Sequence, residues 1–316
     1  MPRLIDPGDE GAITLDELVD ALGAVRIDVR DDDAFASLGP LLARLGRNRS
    51  FLADMAIGEL KTRCAGQATT NGYGPQVFLL RPPDGRFVLR ANFWPARHDA
   101  VVRASGEAAF FYDLPHDHNF SFLTVGYLGP GYWSDYYEVE DGSLDGLPGT
   151  QAGLRFAERS KLDPGKLMLY RMRRDIHVQL PPDAFSVSLN ILGHDPAQPW
   201  LDQYRFDIAR GTIGAALTVA PSEALVTLSA QFGGGNGTDL AQNFASAHPC
   251  ERMRVTARAA LASAAPDAVQ AAAIWRTAAC DPSNYVAGHA ALRLAAIEAV
   301  AARSDRLAGA ERAVSA

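Results

Sequence analysis

The sequence predicts a mainly β protein, in which a central antiparallel barrel or sandwich is flanked by helical regions on both sides. Apolar residues recur at helical spacing before about residue 72, and short strand-like segments with Gly and Pro turns follow them. Ala-rich helical stretches return near the end of the chain. We therefore expect an N-terminal helical region at 1–72, a β-barrel at 76–232 and a C-terminal helical region at 238–316.

The N-terminal region contains three predicted helices. Thr14 is a suitable cap for a helix that begins at Leu15, because its side-chain oxygen can accept from a free N–H of the first turn. Further helices are predicted at 33–45 and 49–63. Residues 66–75 are rich in Gly, Thr and Asn, which is typical of a linker.

The central region changes to strand periodicity. The segment Pro82-Pro-Asp-Gly separates the first two strands as a turn. Strands are predicted at 76–80, 86–94, 108–112, 121–127, 132–140, 153–159, 166–173, 178–179 and 185–191. Beyond a glycine-rich break at 232–238, helices are predicted at 250–263, 266–280 and 284–303.

Composition excludes several classes of protein. The 316 residues can form one large domain or two smaller ones, and the net charge of −7 argues against a nucleic-acid partner. The three cysteines are far apart and form no CxxC pair, so neither a disulfide framework nor a zinc knuckle is indicated. The acidic N-terminus has no apolar signal segment, and no run approaches the length of a membrane span. We expect a cytoplasmic protein with no membrane partner.

The strongest chemical signal is the segment His116-Asp117-His118. Residues i and i+2 of a strand face the same side, so both imidazoles point one way and form half of a metal site. His177 is predicted to end a strand that follows the Asp163-Pro-Gly turn, which would bring it to the same mouth of the barrel. The alternative is a surface HxH loop with an unrelated His. The combination within a β-rich region favours one divalent metal held by His116, His118 and His177.

These segments resemble the two motifs of the cupin superfamily, the first over residues 115–131 and the second over 162–177. Many cupins carry a Glu shortly after the HxH pair, whereas Phe122 and Leu123 stand there in this chain. A site of three His without Glu is similar to the thiol dioxygenases, especially cysteine dioxygenase. That resemblance implies Fe(II) and the addition of O₂ to a thiol. Asn190 and Leu192 replace the catalytic His and Tyr of that family, so the resemblance does not extend to a cysteine substrate.

Two further residues are candidates for catalysis. Arg90 resembles the carboxylate-binding arginine of the thiol dioxygenases and shares a strand face with Asn92 and Trp94. If that face lines the barrel, Arg90 can bind an anionic group through two hydrogen bonds; otherwise it faces solvent. Tyr170 precedes His177 on the second motif and is the other expected catalytic residue.

Acidic residues offer a fourth metal ligand. Glu138 and Glu140 follow the Gly129-Pro-Gly131 turn on a strand that we expect to lie beside the HxH segment. Either carboxylate can complete a site of three His and one Glu. The alternative is that both belong to a solvated edge.

The sequence leaves three functions open. The first is a mononuclear non-haem Fe(II) cupin oxygenase that acts on a small, carboxylate-bearing substrate or a peptide side chain. The second is a metal-dependent cupin isomerase or lyase, and the third is a non-enzymatic ligand-binding cupin with helical interaction flanks. No nucleotide cofactor is expected, and HxH is the wrong first pair for dependence on 2-oxoglutarate. A homodimer through the barrel or the helical flanks is also an expectation.

Overall fold

The computed structural model describes residues 1–74, 76–140 and 142–314. The chain forms two compact units: the first contains Met1–Leu144 and Gln151–Leu217, and the second contains Asp145–Thr150 and Thr218–Ala316. The N-terminal helices thus belong to the same unit as the sheets. The boundary before the C-terminal helices lies at residues 217–218 rather than after residue 232.

The described part of the first unit contains eleven strands. In chain order they are β1 (Arg3–Ile5), β2 (Val77–Leu79), β3 (Phe87–Trp94), β4 (Phe122–Leu128), β5 (Trp133–Glu138), β6 (Arg155–Lys161), β7 (Leu167–Tyr170), β8 (Asp175–Leu180), β9 (Ser186–Gly193), β10 (Tyr204–Asp207) and β11 (Thr212–Ala216). A large sheet has the order β1-β7-β4-β9-β3-β2, and a small sheet has the order β6-β5-β8. All their strand pairs are antiparallel, as are β10 and β11.

Five helices precede β2. They are α1 (Leu15–Ala24), α2 (Asp32–Ala36), α3 (Gly39–Arg47), α4 (Phe51–Lys61) and α5 (Ala65–Thr70). The predicted cap of α1 is confirmed: the Glu17 N–H donates to the Thr14 hydroxyl oxygen, and Glu17 accepts from the Thr14 N–H. The single helix predicted at 33–45 is two helices, because Pro40 lies at the first turn of a new helix, where its missing N–H costs nothing. The predicted linker at 66–75 overlaps α5, which ends at Thr70.

The large sheet is covered on both faces. Phe87, Leu89 and Ala91 of β3 lie in a hydrophobic core formed with the N-terminal helices. The alternate residues of β3 face the small sheet, where Trp94 shares a second core with Phe122 and Tyr136. This alternation is the period-2 pattern of a strand between two packed layers. The inner face of the sandwich is therefore the one that carries Arg90.

Three further sequence predictions in this unit are wrong. Residues 108–112 form no strand; Glu107–Phe110 is a 3₁₀ turn, and Phe111 follows it with a φ of 60°. His177 does not end a strand but lies inside β8. A tight turn at residues 171–174 connects β7 to β8. Strand β5 pairs with β6 and β8 and not with the HxH segment. Local periodicity does not determine which segments pair, because pairing depends on packing between distant residues.

The second unit is helical. Its helices are α7 (Pro221–Phe232), α8 (Gly234–Ala247), α9 (Glu251–Ala264), α10 (Ala268–Ala279) and α11 (Asn284–Val314). The short helix α6 (Ala100–Ser105) belongs to the first unit. The glycine-rich break predicted at 232–238 is instead the start of α8. A buried ion pair joins Arg252 of α9 to Glu223 of α7. Among the described helices, none is both long and apolar enough to cross a bilayer.

The predicted fold class is confirmed. The first unit is an antiparallel β-sandwich, and helices flank it in the sequence on both sides.

Candidate metal centre

Three histidine side chains converge between the sheets. His116, His118 and His177 each offer a ring nitrogen, and these nitrogens all lie within 4.8 Å of one another. The ring centroids are 4.4 Å apart for His116 and His177, and 4.9 Å apart for His116 and His118. Imidazoles at these separations are close enough to share one metal ion.

Strand pairing positions the cluster. The N–H groups of His116 and His177 each donate to the carbonyl of the other at 3.0 Å, so the two residues are direct antiparallel partners. Directly opposed residues project to the same face of a sheet, and His118 returns to that face two positions later. The predicted HxH geometry therefore holds locally, while His177 reaches the site from the interior of β8.

The HxH segment is also held from its other side. His116 forms a second antiparallel bridge to Arg205 of β10. Asp117 points away from the His pair, is fully buried, and accepts a hydrogen bond from the Tyr204 N–H at 2.5 Å. Burial raises the pKa of Asp117 to about 7, while the Tyr204 N–H opposes the rise. Asp117 thus joins the HxH segment to β10.

The three histidines are neutral near pH 7. Burial lowers the pKa of His116 to about 4 and lowers the pKa values of His118 and His177 well below the ordinary value. His116 Nδ1 lies 2.7 Å from the Leu114 carbonyl oxygen. Because that oxygen can only accept, Nδ1 carries the proton and the Nε2 lone pair is available for a metal.

The remaining ring nitrogens fit a metal site. His118 Nδ1 and both ring nitrogens of His177 are buried without a hydrogen-bond partner among the described residues. A buried polar atom without a partner costs about 1–3 kcal/mol, which a bound cation would offset. His118 is the one member that keeps some exposed surface, and its ring packs against Phe120 and Phe122. The cluster is thus reachable from the side of His118.

The depressed pKa values predict a pH-dependent stability. The unfolded chain binds protons at these histidines below about pH 6.5, whereas in the folded metal-free chain the pKa of His116 is about 4 and the pKa values of His118 and His177 lie well below the ordinary value. Each neutral His therefore contributes to the free energy of unfolding above pH 6.5. This contribution is lost as the pH falls below 6.5, by about 1.4 kcal/mol per pH unit. Urea unfolding of metal-free protein between pH 7.5 and 5 measures this slope. His177→Gln should reduce the slope by about one proton, and an unchanged slope would contradict the assignment.

The two predicted acidic ligands lie elsewhere. Glu138 forms ion pairs with the Met1 amino group and, at 2.8 Å, with Arg155. The Met1 amino group, followed by Arg155, lowers the pKa of Glu138 to about 2 against the effect of burial. Glu140 is exposed beyond the end of β5. Among the described residues, neither carboxylate lies close enough to His116, His118 and His177 to be a fourth ligand of that cluster.

We therefore expect Glu138→Gln and Glu140→Gln to change metal content by no more than a few-fold. The charge of Glu138 is already neutralised by its cationic partners, and Glu140 faces solvent. Metal analysis of the purified variants, with His177→Gln as the positive control, tests this. A tenfold or larger loss in either Gln variant would show that a carboxylate moves into the site when metal binds.

Tyr170 lies directly beside the cluster. Its ring packs edge-on against His177 at 4.9 Å and stacks on Phe122 at 4.5 Å. Its hydroxyl oxygen is 2.8 Å from that of Tyr136, across the gap between the two sheets. Burial raises the pKa of Tyr170 well above the ordinary value, and the neighbouring tyrosines Tyr136 and Tyr132 raise it further. The hydroxyl therefore stays protonated and acts as a hydrogen-bond donor.

Arg90 lies on the inner face of β3. This agrees with the alternative in which the face of Arg90 lines the barrel, and not with the one in which it faces solvent. Its residue is 8% exposed, and its guanidinium lies over the ring of Tyr73, 5.1 Å from the ring centroid. Its Nε has no hydrogen-bond partner, and none of the described ion pairs includes Arg90. Its positive charge contributes to the low pKa of His118, after burial and the other two histidines. Arg90 is thus a buried cation within electrostatic reach of the cluster.

Sequence reasoning missed several polar residues of the same inner face. Thr124 of β4, Asn190 of β9 and Arg90 of β3 are register partners in one row across the large sheet. Thr124 is the one polar residue of β4, so a buried polar residue at an inward position was the available signal. Tyr136 of β5 was missed because its role depends on its pairing with His177.

Comparisons with known proteins identify no family. No protein-family model matches the chain, and no curated protein matches its sequence. Solved structures that match part of the chain include one of DMSP lyases RdDddP and RnDddQII, with 11% identity, 38% of this chain covered and a TM-score of 0.22. The chain spans 44% of the length of that matched protein.

Two other solved structures also match part of the chain. The DMSP lyase DddQ from Ruegeria pomeroyi DSS-3 shares 11% identity over 61% of this chain and 79% of its own, with a TM-score of 0.24. Hydroquinone 1,2-dioxygenase PnpCD shares 10% identity over 41% and 71%, with a TM-score of 0.25. Likenesses this low do not indicate what this chain binds or catalyses, so the functional argument depends on the site itself.

Proposed function

We propose that this protein is a mononuclear non-haem Fe(II) cupin oxygenase that incorporates O₂ into a small carboxylate-bearing substrate or a peptide side chain. The observation that carries the proposal is the cluster of three converging imidazoles, in which His118 Nδ1 and both ring nitrogens of His177 are buried without a hydrogen-bond partner among the described residues. His116, His118 and His177 would hold the metal. When bound, Fe(II) supplies redox chemistry with O₂ and coordination positions that the three protein ligands leave open.

Arg90 would hold the substrate. A buried guanidinium without an acidic partner is costly, and a substrate carboxylate is the group that would compensate it. The fork of N–H donors also fixes the direction of a bound carboxylate, because two parallel hydrogen bonds allow one orientation. An acid bound at Arg90 would therefore extend along the inner face of the large sheet toward the histidines.

Tyr170 would act as a hydrogen-bond donor to the reacting end of the substrate. Its ring contact with His177 places it beside the cluster, and its high pKa keeps the proton on the hydroxyl. The hydroxyl of Tyr136, 2.8 Å away, fixes its direction. Apolar neighbours such as Phe122 keep water away from this side of the site.

The test is metal analysis of protein purified without added metal, followed by O₂ uptake. Protein reloaded with Fe(II) is mixed with pools of small carboxylic acids and short peptides, and the same protein reloaded with Zn(II) serves as the control. We expect O₂ consumption only when Fe(II) is bound and one particular pool of substrates is added. The same assay with His177→Gln should show no O₂ consumption.

Other results would indicate the alternative functions. Substrate conversion without O₂ consumption, supported equally by Zn(II), would indicate a metal-dependent isomerase or lyase. Protein that neither contains nor takes up a divalent metal, with an unchanged unfolding midpoint, would indicate a non-enzymatic ligand-binding cupin. A homodimer stays a prediction that sedimentation analysis can address.

A further inference from the structure

The three histidines of the cluster are not held in the same way. His116 and His177 exchange two backbone hydrogen bonds at 3.0 Å, and the Leu114 carbonyl fixes the ring of His116. His118 lies outside the described strands, and its Nδ1 has no hydrogen-bond partner among the described residues. Aromatic rings pack against His118, but apolar contacts are not directional. The direction of the His118 ring therefore depends on how its backbone is held.

The backbone on the N-terminal side of His118 is tied to segment 198–204. The Asp117 N–H donates to the Tyr204 carbonyl at 3.2 Å, and the Asp117 carboxylate accepts from the Tyr204 N–H at 2.5 Å. The carbonyl of His118 itself accepts from the Arg173 N–H at 2.8 Å. These bonds fix the chain up to His118 and leave its C-terminal side to the next residue.

That next residue, Asn119, is tied to the same segment. It is 5% exposed, and its side-chain Nδ2 donates to the Gln198 carbonyl at 3.0 Å and to the Leu201 carbonyl at 2.8 Å. The two carbonyls bracket the 3₁₀ turn Gln198–Trp200. A side-chain amide has two N–H donors and can serve both carbonyls at once, whereas an ionised carboxylate can donate to neither. Segment 198–204 thus holds the chain on both sides of His118.

We propose that Asn119 is the positioning residue of His118, because its two hydrogen bonds to the 198–201 turn hold the chain in the position that directs the His118 ring toward His116 and His177. This inference rests on the proposed function, since it takes the three histidines as metal ligands. It goes further by assigning a role in metal binding to a segment that contributes none of the three. A ligand must be held to within about 0.5 Å of its working position, so support of this kind affects the metal directly.

Loss of the amide should weaken metal binding while all three histidines remain. Replacement of a residue that orients a metal ligand typically costs about 10–100-fold in affinity. We therefore expect Asn119→Ala and Asn119→Asp to bind Zn(II) about ten- to a hundredfold more weakly, measured by competition with a chelator. Asn119→Asp keeps the size of the side chain and removes both donors. Asn119→Gln keeps the donors on a longer side chain and should show an intermediate loss.

The visible absorption spectrum of the Co(II)-loaded protein provides a second measurement, because it depends on the coordination geometry of the ion. We expect the spectrum of both donor-free variants to differ from that of the unsubstituted protein. A purely structural residue would lower the thermal unfolding midpoint and leave the spectrum unchanged.

Asn71→Ala is the matched control. The Asn71 amide is partly buried in the same unit and also donates to two acceptors, the Gln67 side-chain oxygen at 3.1 Å and the Val77 carbonyl at 2.7 Å. Its loss leaves a turn without the same kind of support, away from the histidines. We expect a lower unfolding midpoint with unchanged Zn(II) affinity and an unchanged Co(II) spectrum.

The outcomes separate the two proposals. Zn(II) affinity and a Co(II) spectrum that are unchanged in Asn119→Ala and Asn119→Asp, or an equal loss of affinity in Asn71→Ala, would overturn the positioning role alone. If neither donor-free variant folds, Asn119→Gln decides, and an affinity and spectrum equal to those of the unsubstituted protein would overturn the role. Unsubstituted protein that binds neither Zn(II) nor Co(II) would overturn the metal site and this inference with it.

Discussion

We expect each of the three single variants His116→Ala, His118→Ala and His177→Ala to contain no bound metal. Each of the three contributes one ring nitrogen within 4.8 Å of the others, and two neutral imidazoles alone are a weak site for a divalent ion. Removal of the His177 imidazole costs mainly the contacts of the ring, and removal of the His116 imidazole also costs its hydrogen bond to the Leu114 carbonyl. We therefore expect folded, metal-free variants, measured by metal analysis beside circular dichroism.

The matched control is His98→Ala. His98 is a largely exposed histidine of the same unit, and its Nε2 lies 3.9 Å from a carboxylate oxygen of Asp99. Its replacement should leave metal content unchanged. Full metal occupancy in any one of the three cluster variants would show that the site uses a different set of ligands.

Arg90→Ala should weaken substrate binding by roughly ten- to a hundredfold while the metal stays bound. A hydrogen-bonded ion pair in a buried site contributes about 1.5–3 kcal/mol, and each 1.4 kcal/mol is about a factor of ten in Kd. Arg90→Lys should recover only part of the loss, because an ammonium cannot form the two parallel hydrogen bonds of a guanidinium. Titration with the best-bound acid measures both variants.

Arg86→Ala provides the control for Arg90. Arg86 immediately precedes the same strand, but its guanidinium donates to the Val25 carbonyl at 2.8 Å near the end of α1. Its loss should lower the unfolding midpoint and leave the affinity for the acid unchanged. If Arg90→Ala behaves in the same way, Arg90 is a structural residue and the carboxylate requirement of the substrate loses its support.

Much of the fold followed from local patterns. The capping pair Thr14 and Glu17 marked the start of α1, and alternating apolar and polar residues marked β3 and placed Arg90 opposite Phe87 and Leu89. Such patterns depend on neighbours within a few residues, which the sequence states directly. The segment at 108–112 failed because its apolar residues pack in a turn, where Phe111 takes a backbone conformation that no local pattern indicates.

The sequence by itself determined the antiparallel sandwich flanked by helices, the common face of His116 and His118, and the choice of His177 as their partner. Only the tertiary structure decided that His177 lies inside β8 opposite His116, that Glu138 is paired with Arg155, and that Thr124 and Asn190 stand in the row of Arg90. The physical reason is register. Periodicity fixes the face to which a side chain points, whereas the partner across a sheet depends on how segments distant in the chain pack together.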